Sequence, residues 1–343
     1  MTWRFLQRCA LGIVLIVALA TLLLLSDLDS RTTRSHPPQP QTAALPRITL
    51  IQLVEAPAIR ATREGMLAGL ADAGLREGRD YTLVLRDAQG DISMLGNLVD
   101  AARVDRAALI LTLTTPALQT VMQRVHDLPV VFGLALDPLL VGDTGTHENH
   151  RSNVAGIFDR SPFEAAMALV RECLPDAQTI GTLYNPAEVN SVAFRQDLET
   201  AAAAVGLRCV SLPVSAPADV ADAAAALAQR DIDVITQIND NLNDASFAGI
   251  AQSARRARVP LFSFTSEMAL SGQAILALSN DHHDAGREAG VIAARVLRGE
   301  SPADIPYRSS TLTRLIVNLR LAREAGLTLP PAVLARADRI VEN

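Results

Sequence analysis

From Arg47 onward, short apolar runs alternate with longer amphipathic stretches, and this alternation constrains the fold more tightly than any other feature of the sequence. Strands are expected at 48–53, 82–86, 108–113 and 130–134, with helices at 58–73, 92–104 and 116–125. A second series follows Asn153-Val154-Ala155-Gly156, with strands at 179–184, 208–212, 234–238, 261–264 and 274–278 and helices at 162–174, 191–205, 217–229 and 243–258. A parallel strand reaches its neighbour through a right-handed crossover helix, so each series folds as an open, doubly wound sheet. The expected class is α/β, with two Rossmann-like lobes.

The tail adds a connection between them. A helix at 283–297 ends in Arg298-Gly299, and an extended stretch through Ile305-Pro306 leads to a strand at 315–318 and a helix ending at Gly326. If the chain crosses back near Asn280 and returns near Pro306, three linkers join the lobes as a hinge suited to closing on a ligand. The expected division is 47–156 with 280–304 as the first lobe and 157–279 with 305–343 as the second. The composition agrees: 49% apolar residues with only 3% aromatics suits helices packed on a parallel sheet. The net charge of -6 comes without a block of like charge, which removes the electrostatic footprint of a nucleic-acid binder.

Before Arg47 the sequence reads as a targeting segment. Arg4 and Arg8 precede an uncharged run from Cys9 to Ser26, followed by Asp27 and Asp29. Residues 1–29 are therefore expected to be a signal anchor or a signal peptide. Ala18-Leu19-Ala20 lies inside the apolar run, which favours a retained helix tethered to the inner membrane over a cleaved signal. Residues 30–46, rich in Thr, Gln and Pro, read as an extended linker. The body is expected in the periplasm.

Catalytic signatures are missing. Cys173 and Cys209 are the cysteines of the body; an oxidising compartment would permit a bridge, but they read as two buried small hydrophobes. His147-Glu148-Asn149-His150 lacks the spacing of a zinc protease and reads as a solvated loop, and His282-His283 opens a helix where one ring could meet the cleft or the hinge. There is no phosphate loop and no nucleophile elbow, so no enzyme, cofactor or metal is expected.

In open α/β sheets ligands bind beyond the carboxyl ends of the strands, so the residues after each strand are the candidates. After Leu113 comes Thr114-Thr115-Pro116, where Thr115 could cap a helix starting at Pro116 and leave N–H groups facing a ligand carboxylate. After Tyr184, Asn185, Asn190 and Ser191 supply two amides and a hydroxyl. After Ile238 come Asn239 and Asp240, and Asp240 could pair with a ligand ammonium. Gln52 and Glu55 after the first strand, and Asp137 before Pro138, complete the ring, with Thr265 after the strand at 261–264.

Taken in order, Gln52 to Pro57, Arg63-Glu64-Gly65, Ala88-Gln89-Gly90-Asp91, Thr115-Pro116-Ala117, Pro129-Val130-Val131-Phe132, Asp137-Pro138, Tyr184-Asn185-Pro186, Asn190-Ser191, Asn239-Asp240-Asn241, Val259-Pro260 and Val317-Asn318-Leu319 resemble the ABC transporter substrate-binding family. Its better-known members bind tryptophan or tyrosine, and its fold is the type I periplasmic binding protein. The resemblance implies a small-molecule ligand, an amino acid or a related compound, in the cleft of a monomer, with a permease and its ATPase as partners. The chain departs from the family at Ala56, where His is common, at Leu136, where Thr is common, and at Thr265 in place of an acid. Losing polar partners there should change which side chain is accepted. A membrane-tethered sensor using the same cleft is the competing reading.

Overall fold

The structure is a computed structural model that describes residues 3–32 and 44–342, in two units divided between Ala44 and Leu45. The first unit is one helix, α1 (Trp3–Thr32). Its apolar side chains at 13–17 are exposed. Among the described residues no helix is long and apolar enough to cross a membrane. Several side chains of the apolar run 9–26, and most of the expected linker, lie outside the described residues.

The second unit begins with β1 (Arg47–Gln52), α2 (Pro57–Asp72), β2 (Thr82–Asp87), α3 (Leu95–Val104), β3 (Leu109–Leu113), α4 (Thr115–Arg124), β4 (Val130–Ala135) and β5 (Val154–Phe158). It continues through α5 (Phe163–Cys173), β6 (Thr179–Tyr184), α6 (Val189–Ala204), β7 (Arg208–Pro213), α7 (Val220–Ala228), β8 (Val234–Gln237), α8 (Asn241–Ala245), α9 (Phe247–Ala257), β9 (Leu261–Ser263), α10 (Ser266–Leu270) and β10 (Leu276–Asn280). Last come α11 (His282–Leu297), β11 (Arg308–Ser309), β12 (Thr313–Asn318), α12 (Leu319–Glu324), α13 (Pro331–Arg336) and β13 (Arg339–Val341).

These strands form two sheets, ordered β11-β5-β4-β3-β1-β2 and β13-β12-β10-β9-β8-β6-β7. All pairs are parallel except β10 with β12. The interior strands β3 and β5 are buried along their whole length, as parallel strands covered by helices on both faces must be. Strand order reverses between β1 and β3 in the first sheet and between β6 and β8 in the second, and a ligand crevice opens at such switch points.

Helix α11 follows a second-lobe strand but packs on the first lobe, against α2. The contact is backbone to backbone: a Cβ on Gly65 would lie 2.0 Å from His283 O, and one on Gly286 would lie 2.1 Å from Thr62 O. Only glycine permits that approach.

The lobes are joined at 159–162, at Asp281 and at 310–312, where the chain passes between sheets. The boundaries differ from those expected. Residues 157–158 complete β5, and Arg308 and Ser309 pair with Ile157 and Phe158, so 305–309 stay with the first sheet. Ile305 and Tyr307 are buried in first-lobe clusters, which holds the segment there. The strand expected at 274–278 runs two residues later. Cys173 and Cys209 are free; burial pushes their thiols up to about 12 and about 11, so both stay protonated.

Candidate ligand-binding cleft

Both switch points open on one cleft. Its first-lobe wall comes from the start of α2 (Ala58, Ile59), the β3–α4 turn (Thr114, Thr115) and the end of β4 (Leu134 to Leu136). Its second-lobe wall comes from α6 (Asn190, Phe194) and the β8–α8 turn (Asn239 to Asn241, Asp244), with Asp159 of the first crossing between them. The cavity between these walls is about 30 Å³ and stays partly open to solvent, far below the few hundred Å³ of an ordinary small-molecule site, so the two walls lie close together.

On the first-lobe wall the backbone is strained. Thr114 has φ 86° and ψ 148°, a region that β-branched residues avoid and that strain at functional sites often occupies. Its hydroxyl is buried without a partner. The cap expected at Thr115 lies one residue earlier: α4 starts at Thr115, and Thr115 Oγ1 accepts from Leu136 N at 2.9 Å, tying two turns of the wall together. A bulge in β4 between Phe132 and Ala135, with Leu134 at φ 49°, breaks the strand's alternation. It lets three consecutive residues, Leu134, Ala135 and Leu136, reach the cleft.

The second-lobe wall is built on carboxylates. Asp240 caps α8 and accepts from Asn243 N at 2.7 Å, Asn243 Nδ2 at 2.7 Å, Ser191 Oγ at 2.6 Å and Asn185 N at 3.3 Å. A carboxylate has about four lone-pair sites, so Asp240 is filled by the protein itself. Glu188, behind it, accepts from Asn185 Nδ2, Asn190 Nδ2, Asn241 N and Nδ2, and Leu242 N. Asp244 differs. Thr265 Oγ1 donates to its Oδ2 at 3.0 Å, while its Oδ1 and Asn190 Oδ1 are buried without partners. Burial, then the Glu188 charge, raises Asp240 above the ordinary carboxylate range; burial, then the Asp240 charge, raises Asp244 well above it.

Asp159 links the cleft to the hinge. Asn280 Nδ2 donates to its Oδ1 at 2.6 Å and Asn239 Nδ2 to its Oδ2 at 3.2 Å, while Ser161 Oγ donates to Asn239 Oδ1 at 2.9 Å. Beside this chain His282 is buried, 3.4 Å from Glu267. Burial opposes its charge, but the Glu267 bond and charge, with Asp159 and Asp244, outweigh it and raise His282 to about 9.

Of the residues expected from sequence, Thr114, Thr115, Asn190, Asn239 and Asp240 meet at the cleft. Asn185, Ser191 and Thr265 stand one layer behind, bonded to Glu188, Asp240 and Asp244. Gln52 and Glu55 lie outside the lining: Arg63 donates to both, and the Arg63 bond, against burial, draws Glu55 down to about 2. Asp137 is taken up by His147 Nε2 at 2.7 Å and Leu139 N at 3.0 Å. The loop expected to be solvated is exposed at Glu148 and Asn149, while its two histidines are half-buried, His147 on Phe158 and His150 stacked 3.8 Å from Tyr307. Among the acidic groups, the sequence does not point to Asp159 and Asp244 in the cleft or to Glu188 behind it. Asp159 follows a strand that was not expected at 154–158; Glu188 lies in a turn whose amides drew attention; Asp244 falls inside a stretch expected to be one long helix.

The family model described as ABC transporter substrate binding protein matches residues 47–341. A tyrosine-binding protein of Clostridioides difficile (strain R20291) is 28% identical over 271 residues, 79% of this chain and 78% of that protein. An ABC domain from Streptococcus pneumonia in complex with L-Trp superposes with a TM-score of 0.82 at 24% identity, covering 87% of this chain and 100% of that one. A ligand-free, open substrate binding protein with adhesive properties from Clostridium difficile gives a TM-score of 0.65 at 26% identity, over 87% of this chain and 100% of that one.

Proposed function

The chain belongs to the ABC transporter substrate-binding protein family, and from that premise we propose that it is the solute receptor of an importer, holding an amino acid between its lobes. The observation that carries this reading is a pair of buried polar atoms without partners on opposite walls, Thr114 Oγ1 and Asn190 Oδ1. A buried polar group without a partner is costly, and a solute spanning the cleft would satisfy both. A ligand contacting both lobes stabilises the closed form, which is how a binding protein signals occupancy without doing chemistry.

The ligand's carboxylate is assigned to Thr114 and the first turn of α4, whose N–H groups have no partners within the helix. Its ammonium faces the acidic second-lobe wall. In this reading the cleft, about 30 Å³ as it stands, widens by opening at the three crossings to admit the solute. The basic flank and apolar run of the N-terminal segment support export, and in this reading the body works in the periplasm, tethered to the inner membrane, with a permease and its ATPase as partners.

A thermal-shift screen of the full chain against amino acids, aromatic metabolites, purines and sugars tests this reading, because a ligand that binds the folded state raises the melting temperature. Selective stabilisation by one amino acid or a small group of them is expected. Stabilisation by a sugar or a purine alone would overturn the amino-acid assignment.

A further inference from the structure

We propose that Asp244, rather than Asp240, is the acceptor for the solute's amino group, with Asn190 Oδ1 as the second acceptor, so that the cleft selects primary ammonium compounds. The proposal rests on the amino-acid reading above and narrows it. Three acidic side chains of the second lobe are buried near the cleft, and the protein satisfies two of them. Glu188 and Asp240 receive donors on both oxygens from Asn185, Ser191, Asn241 and Asn243. Asp244 is 7% exposed and receives one donor, from Thr265, which fixes the carboxylate by Oδ2 and leaves Oδ1 bare. Both Asp244 and Asn190 line the cleft, and Asn190 Nδ2 is committed to Glu188 at 3.4 Å, leaving its bare oxygen as the free end.

Two unpartnered acceptors on one wall call for a group with several donors and no lone pair. An ammonium has three donors and no acceptor; a hydroxyl would bring lone pairs against one of the two oxygens. Charge points the same way. Asp159, Asp240 and Asp244 line the cleft, and no basic side chain does so among the described residues. Burial and the Asp240 charge favour the protonated acid at Asp244 in the ligand-free chain, and an ammonium entering this low-dielectric space returns it to the carboxylate that accepts the ammonium's donors.

The test is a double-mutant cycle between Asp244 and the amino group. The twenty proteinogenic amino acids are titrated calorimetrically into the full chain, and the tightest binder is then compared with its deamino acid in wild type and Asp244→Asn. The near-isosteric variant should weaken the amino acid by about 100-fold or more and leave the deamino acid almost unchanged. Equal weakening of both compounds, or of neither, would overturn the role of Asp244 while leaving the amino-acid reading intact. If none of the twenty binds, the inference falls together with that reading. Should Asp244→Asn fail to fold, Thr265→Val removes the donor that fixes Asp244, and a selective loss of about 10-fold for the amino acid is expected; no selectivity there would also count against the proposal.

Discussion

Asn280 Nδ2 lies 2.6 Å from Asp159 Oδ1, and this bond ties the first crossing between the lobes to the second. The same Nδ2 reaches Arg160 O at 3.0 Å. Because the other Asp159 oxygen faces Asn239 on the second-lobe wall, the hinge and the ligand site share one carboxylate. Any change in lobe angle must therefore move a residue that lines the cleft.

Replacing Asn280 by Ala removes both donors and leaves Asp159 partly unpaired at 6% exposure. The expected cost is about 1–3 kcal/mol of unfolding free energy, the penalty of an orphaned buried acceptor. Urea unfolding of the ligand-free chain measures it. A loss below about 0.5 kcal/mol would mean that water takes the amide's place and the bond is not what holds the crossings together.

Thr114 should invert the usual order of alanine and glycine. At φ 86° and ψ 148° a Cβ is strained by about 1–3 kcal/mol. Thr114→Ala keeps that strain and gives up packing, whereas Thr114→Gly releases it. The glycine variant is expected to be the more stable of the two by about 1 kcal/mol, and both should bind the ligand more weakly than wild type. Thermal melts of the two variants decide; the ordinary order, with alanine above glycine, would show that the turn is relaxed.

The glycine contact between α2 and α11 makes a third prediction. Gly65→Ala and Gly286→Ala each drive a methyl into a backbone carbonyl, at 2.0 Å and 2.1 Å, which side-chain rotation cannot relieve. Each should cost about 2–3 kcal/mol. The double variant should cost less than the sum, because helices forced apart by one methyl have already made room for the other. Additive losses would show the two sites to be independent.

The sequence made the fold legible because parallel strands covered on both faces announce themselves as short apolar runs. β6 was read to its ends, at Thr179 and Tyr184. β5 is not legible because its run is short and carries Gly156 at φ 154°, where a Cβ would meet Phe132 O at 2.3 Å. Without a legible β5, no strand end marks Asp159. Reading strand ends did find both walls of the cleft, at Thr114 and Asn239 to Asp240. It could not tell a filled carboxylate from a bare one: Asp240 and Asp244 lie one helical turn apart, and only the positions of Ser191, Asn185 and Thr265 distinguish them.

The buried charges also fix how stability depends on pH. His282 is raised from 6.5 to about 9, so its contribution is complete below pH 6.5 and is lost as pH rises through about 9. Asp240 and Asp244 are raised above 3.8, so the folded state holds protons that the unfolded chain has released, and this too makes stability fall as pH rises. The groups that raise His282 are Glu267, Asp159 and Asp244, all acidic; Asp281 also faces it, and Arg314, which lines the same pocket, is paired with Asp281 and Asp338. Urea unfolding of the ligand-free chain from about pH 6 to about pH 9.5 should show a steady decline. In His282→Gln the decline above about pH 7 should flatten while overall stability drops, because Glu267 loses its partner. An unchanged alkaline slope in that variant would mean that His282 is neutral in the folded chain, and that the Glu267 contact at 3.4 Å is not an ion pair.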